Sequence, residues 1–164
     1  MDNIQNQKPI LEDKKRILIV DDEIDILRVL EILLKDQYEV IKASDGATGF
    51  TYALRYLPDL IILDIMMPKM SGYQFCDLKK NNNRLRDVPI LVISAKGTLA
   101  DIDFGLKKGA SAYHTKPLDN TRILHTVETL LKNNPMPKTS RPSYEDALTE
   151  ITPDSQAPKV TWDI

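Results

Sequence analysis

Between Lys15 and about Asn133 the chain alternates two kinds of hydrophobic pattern. The first kind is short and apolar: Arg16–Val20, Glu39–Ala43, Asp59–Leu63, Pro89–Ile93 and Ala112–His114. Three of these hold nearly unbroken runs, Ile17-Leu18-Ile19-Val20, Leu60-Ile61-Ile62-Leu63 and Ile90-Leu91-Val92-Ile93. A strand covered on both faces has no solvent side and shows no polar alternation. Their shortness and β-branched content favour strand over buried helix. The second kind is longer, with apolar residues three and four apart: Ile24, Leu27, Leu30, Leu34; Ala47, Phe50, Leu54, Leu57; Leu99, Ile102, Leu106, Ala110; and Ile123, Val127, Leu130. Each set predicts a helix with one apolar stripe. A shorter helix is expected over Gly72–Lys80, carrying Phe75 and Cys76, and Gly109 sits where a helix C-terminal cap belongs.

Five βα units in succession predict an α/β domain over residues 15–133: a parallel sheet with helices on both faces, joined by right-handed crossovers. Residues 1–14 are polar and aperiodic and read as a flexible leader. Residues 134–164 hold five of the ten prolines (Pro135, Pro137, Pro142, Pro153, Pro158) and read as a proline-rich tail with no output domain. Within it, Ser143-Tyr144-Glu145-Asp146 resembles a helix start; the tail reads either as a disordered extension or as a segment whose Trp162 and apolar neighbours dock on a partner or on the α/β domain itself.

Composition narrows the function classes. Hydrophobic residues make up 42% and charged residues 28% of 164 residues, ordinary for a globular protein with a real core. The formal net charge of −2 gives no overall basic field toward nucleic acid or an anionic membrane. The single cysteine, Cys76, permits no internal disulfide, and no apolar run approaches the roughly 18 residues of a bilayer span. These features predict a cytoplasmic protein with no membrane partner.

In open α/β sheets ligands bind beyond the carboxyl ends of the strands. Those ends carry Asp21-Asp22-Glu23, Asp64, Ser94-Ala95 and Thr115-Lys116-Pro117. Singly, each has an ordinary explanation: carboxylates at a helix N-terminus, a turn serine, a solvated lysine. Asp64 differs, because it ends an apolar strand, where a lone charge is expensive to bury. Crowded carboxylates repel, and an all-oxygen, half-open site suits Mg²⁺. An ionised aspartate can attack a phosphoryl group, whose charge then needs neutralising more than covalent help. Lys116 and Mg²⁺ supply positive charge there, and Ser94 a hydroxyl donor.

These residues resemble the receiver domain of bacterial two-component response regulators, similar to the chemotaxis receivers. The likeness is carried by Ile17-Leu18-Ile19-Val20-Asp21-Asp22-Glu23, by Pro58 to Gly72 around Leu63-Asp64-Ile65-Met66-Met67-Pro68, by Pro89 to Ala95, and by Gly109 to Pro117. The resemblance implies a doubly wound, flavodoxin-like (βα)5 fold with strand order 2-1-3-4-5. It implies that Asp64 is phosphorylated, and that Asp21, Asp22, Asp64 and the Met66 backbone carbonyl hold Mg²⁺. Lys116 would pair with the phosphoryl group, Ser94 would be the switch hydroxyl, and Tyr113 the switch aromatic. The Lys116–Pro117 bond would be cis. The implied partners are a sensor histidine kinase or phosphotransfer protein upstream and a protein target downstream. Residues 134–164 are too few, too proline-rich and not basic enough for a helix-turn-helix module, so no direct DNA binding is expected. The implied protein is a phosphoacceptor and not an enzyme. Two alternatives stay open: a pseudo-receiver that is never phosphorylated, and an aspartyl-phosphate hydrolase. The latter would want a second aspartate two residues after Asp64, where Met66 stands.

Overall fold

The computed structural model describes residues 14–134. The expected leader and tail, with the helix start at Ser143 and Trp162, fall almost entirely outside the described residues. The elements run β1 (Arg16–Val20), α1 (Ile24–Leu34), β2 (Glu39–Ala43), α2 (Gly46–Tyr56), β3 (Leu60–Asp64), α3 (Gly72–Lys80), β4 (Ile90–Ser94), α4 (Leu99–Lys107), β5 (Ala112–Thr115) and α5 (Asn120–Asn133). All strands pair in parallel in the order β2-β1-β3-β4-β5, so the predicted fold class and strand order hold.

Every residue of β1, β3 and β4 is buried. Side chains alternate across a strand, so one apolar run serves two cores. Leu18, Val20, Ile61, Leu63, Ile90 and Val92 face a layer that includes Ala53, Phe75 and Cys76. Ile17, Ile19, Leu60, Ile62, Leu91 and Ile93 face Leu27, Leu30 and Leu34 of α1 and Ile123, Val127 and Leu131 of α5.

β3 and β4 each begin and end one residue later than the hydrophobic pattern suggests. Asp59 is held before the strand, because its carboxylate accepts the Arg16 N–H at 2.7 Å while its own N–H donates to the Arg16 carbonyl at 2.8 Å. Asp64 therefore lies within β3, as its last residue. Arg16 itself is buried, with Nε on Glu39 (2.9 Å) and Nη1 on the Tyr56 carbonyl (2.9 Å).

Two apolar stripes differ from expectation. On α2 the buried residues are Gly46, Gly49, Ala53 and Tyr56, one step from the predicted set. A Cβ on Gly49 would stand 2.7 Å from both Val20 γ-carbons, so that helix seats on β1 through a missing side chain. On α4, Leu99 is 87% exposed and Leu106 46%, and only Gly105 of the helix is buried. In α1, Ile24 is likewise outside the core, at the exposed start of the helix.

Side chains fix the helix starts. Asp45, Ser71, Thr98 and Asp119 each accept a backbone N–H three residues on, and Ser71 and Thr98 form reciprocal boxes with Gln74 and Asp101. Gly109, after α4, has φ +108°, a conformation glycine adopts at no steric cost. No helix of the described residues is long and apolar enough to cross a membrane.

Candidate functional site

The parallel sheet brings the carboxyl ends of β1, β3, β4 and β5 to one edge. Asp21 follows β1, Asp64 ends β3, Ser94 ends β4, and Lys116 follows β5. Their carboxylates converge with that of Asp22: one oxygen from each of Asp21, Asp22 and Asp64 lies within 4.8 Å of the other two. Asp21 and Asp64 are buried, whereas Asp22 is exposed. Such a set of hard oxygen donors, partly open to solvent, fits a small divalent cation.

Local backbone bonds aim the two buried carboxylates. Asp21 Oδ1 accepts the Glu23 N–H at 2.8 Å, and Asp64 Oδ1 accepts the Met66 N–H at 3.2 Å. Lys116 closes the cluster from β5: its Nζ stands 3.1 Å from Asp21 Oδ2 and 3.7 Å from Asp64 Oδ2. Its tightest contact, 2.5 Å, is with Glu23 Oε1. The Lys116 N–H donates to the Ser94 carbonyl at 2.9 Å, and the Lys116–Pro117 bond is cis.

Electrostatics follow burial. Removal from water pushes the Asp21 carboxyl up from 3.8 to about 6; the Glu23 N–H works against this, and the Asp64 charge adds to it. Burial also raises Asp64, opposed by Lys116 and the Met66 N–H. Burial works against the Lys116 charge, but Glu23 and Asp21 outweigh it and lift the ammonium above its usual value. The site is thus an acidic pocket whose carboxylates are reluctant to ionise together. A cation relieves that reluctance.

The remaining candidates sit around this centre. Ser94 is fully buried, and its Oγ accepts the Lys96 N–H at 3.2 Å. Met66 lies two residues past Asp64, with its side chain 53% exposed beside the pocket. Tyr113 is two residues before the end of β5, and its hydroxyl donates to the Lys96 carbonyl at 2.9 Å. Its ring lies against Gly105 of α4, where a Cβ would meet Cδ2 and Cε2 at 2.7 Å. The same Lys96 peptide region thus contacts both Ser94 and Tyr113.

Sequence reasoning gave Glu23 no role, although it makes the closest contact with Lys116. An acidic triplet after an apolar strand was the only signal available, and it does not say which carboxylate reaches a lysine 93 residues away. Gly72 was also missed. At the first position of α3, its Cα passes so close to β3 that a Cβ would stand 2.4 Å from the Asp64 carbonyl oxygen.

The family model described as the response regulator receiver domain matches residues 17–128. Among curated proteins, the probable transcriptional regulator ycf27 of Cyanophora paradoxa is 40% identical over 133 residues, covering 80% of this chain and 54% of that protein. The DNA-binding dual master transcriptional regulator RpaA of Synechocystis is 39% identical over 118 residues, covering 71% of this chain and 49% of that protein. The chain thus spans about half the length of these relatives. A solved structure of the Vibrio cholerae chemotaxis protein CheY4 superposes with a TM-score of 0.67 at 29% identity, covering 71% of this chain and 98% of that one. One expectation is corrected by these relatives. The expected absence of direct DNA binding rests on net charge and on the composition of residues 134–164, yet the relatives include transcriptional regulators, one of them named as DNA-binding. Charge averaged over the chain and tail composition do not report the output to which a receiver is coupled.

Proposed function

This chain belongs to the response regulator receiver family, and we propose that within it Asp64 is the residue that takes the phosphoryl group. The observation that carries this reading is the convergence of Asp21, Asp22 and Asp64 within 4.8 Å, with Lys116 against two of them. In the proposed reaction an Asp64 carboxylate oxygen attacks the phosphorus of a phosphohistidine on a sensor kinase or phosphotransfer protein. The P–N bond breaks, its electron pair stays with the imidazole, and an acyl phosphate remains on Asp64. Asp21, Asp22, Asp64 and the Met66 carbonyl would hold Mg²⁺, which supplies charge neutralisation for the phosphoryl oxygens when bound.

Lys116 contributes the other cation. Its ammonium is poised between Asp21, Glu23 and Asp64, so it can turn toward a phosphoryl group on Asp64 by yielding the exposed Glu23 contact. Ser94, one strand away, donates its hydroxyl to the same group, which draws on the Lys96 segment it now holds. Tyr113, bonded to the Lys96 carbonyl, feels that movement. A population shift of this kind from 1:99 to 99:1 requires about 5.5 kcal/mol of differential stabilisation. The output we propose is control of a DNA-binding activity, as the names of the relatives suggest.

The protein would be a phosphoacceptor that assists its own chemistry, working in the cytoplasm alongside its kinase, with no activity toward free phosphate esters. Incubation with acetyl phosphate and Mg²⁺ tests this. The parent should gain one phosphoryl group by intact mass, and Asp64→Asn should gain none. Full labelling of Asp64→Asn places the acceptor elsewhere, and an unlabelled parent leaves only a pseudo-receiver.

A further inference from the structure

At the opposite end of β4 from Ser94, a cavity of about 170 Å³ opens between the C-terminal ends of α3 and α4. Five residues are spanned from Ile90 on its wall to Ser94, so it lies about 13 Å along the strand from the phosphoacceptor edge. Its wall carries Lys79, Lys80, Arg86, Lys107 and Lys108, and among the described residues no carboxylate lines it. Cys76 and Ile90 form its apolar part. On a chain with net charge −2, five cations around one cavity are a local excess.

Part of this arrangement has an ordinary cause. Lys79, Lys80 and Lys107 stand in last helical turns, where cations complement the helix dipole. Lys107 and Lys108 also reach carboxylates, Asp103 at 2.7 Å and Asp77 at 3.3 Å, and Arg86 reaches Asp87 at 3.6 Å. Those three carboxylates are more than half exposed, so solvent screens the pairs and they exchange readily for a stronger anion.

The helix dipole does not account for the burial of Lys79. This residue is only 6% exposed, and among the described residues its Nζ donates one hydrogen bond, to the Arg86 carbonyl at 2.8 Å. An ammonium has three donors, and a buried one without a carboxylate partner is costly. Burial accordingly lowers its proton affinity. A dehydrated cation on the wall of a cavity ringed by four more cations is complementary to a compact multivalent anion.

We propose that this cavity is a binding site for a small phosphorylated anion carrying two or more charges, of the size of a pyrophosphate group, with Lys79 as its buried anchor. Such a ligand would join α3 to α4, the helix on which Tyr113 rests, at the end of the sheet away from Asp64.

The test is a titration of the isotopically labelled chain with pyrophosphate at low ionic strength, without divalent cations, followed by NMR. Saturable shifts should centre on residues 76–86 and 105–109, with a dissociation constant of about 1 mM or tighter. Lys80→Ser with Lys107→Ser removes two exposed cations, leaves the core intact, and should weaken binding about tenfold or more. Lys79→Met preserves side-chain length and should abolish it. If that variant unfolds, the surface pair decides. Unsaturable shifts, unchanged affinity in the surface pair, or shifts centred on Asp21 and Lys116 overturn the proposal. So does a short duplex DNA that binds more tightly than pyrophosphate at the same amides, which would make the patch a contact for a phosphodiester backbone.

Discussion

Replacing Asp21 by Asn should stabilise the protein when no divalent cation is supplied. Asp21 is 2% exposed, and its carboxyl is pushed from 3.8 to about 6 by burial and the neighbouring Asp64. A carboxyl whose folded pKa is raised binds its proton more tightly in the folded state. It therefore penalises folding above the folded pKa, and the penalty fades as pH falls toward the unfolded value. At 1.36 kcal/mol per pH unit, the rise from 3.8 to about 6 corresponds to about 3 kcal/mol at pH of about 7.5 and about half of that near pH 5. Asn keeps an acceptor for the Glu23 N–H but fits less closely against Lys116, so a gain of about 2 kcal/mol is expected. For a domain of this size that is a rise in Tm of roughly 6–8 °C. The assay is thermal unfolding followed by circular dichroism in a chelating buffer, repeated from about pH 7.5 to about pH 5. The advantage should shrink by about half across that range, and excess Mg²⁺ should narrow it at the higher pH by offsetting the parent's charge. A lower Tm for Asp21→Asn in chelator, or an advantage that grows on acidification, refutes the argument that burial strains this carboxylate.

Three further outcomes follow from the geometry. Gly72→Ala would drive a Cβ to 2.4 Å from the Asp64 carbonyl oxygen, a backbone atom that cannot step aside. It should cost about 3 kcal/mol in urea unfolding and slow acetyl phosphate labelling; an unchanged midpoint would show that α3 moves freely. Lys116→Ala should still be labelled by acetyl phosphate, but its Tyr113 ring resonances should stay where they are in the unphosphorylated parent. A Tyr113 that responds normally removes Lys116 from the switch. Gly105→Ala should displace the Tyr113 ring, break its bond to the Lys96 carbonyl and cost about 1–2 kcal/mol, visible as a ring shift with no phosphodonor present.

The sheet was legible because burial on both faces leaves unbroken apolar runs, and Ile17–Val20, Leu60–Leu63 and Ile90–Ile93 need no partner to be recognised. Asp64 was legible for the related reason that a carboxylate closing such a run demands a counter-charge. Strand order came from the family likeness, since nothing in the runs themselves says which strand lies beside which. Glu23 was not legible: three acids in succession look alike, and only the fold decides that Glu23 faces Lys116 while Asp21 turns inward.

The misread helices share a physical cause. Reading a helix by its large apolar residues assumes that bulk marks the buried face. On α2 and α4 the sheet is met at glycine, at Val20 in one case and at the Tyr113 ring in the other. Close approach removes the need for large side chains on the contact line and leaves Leu99, Phe104 and Leu106 of α4 substantially exposed. Gly105 gives α4 a ring contact in place of interdigitating aliphatic side chains, and Tyr73 meets Phe104 edge-on with ring centres 4.8 Å apart. A helix seated on one aromatic ring has less packing to resist displacement than α1 or α5, each of which buries three large aliphatic residues. The feature that hides α4 from periodicity is therefore the one that suits it to follow Tyr113.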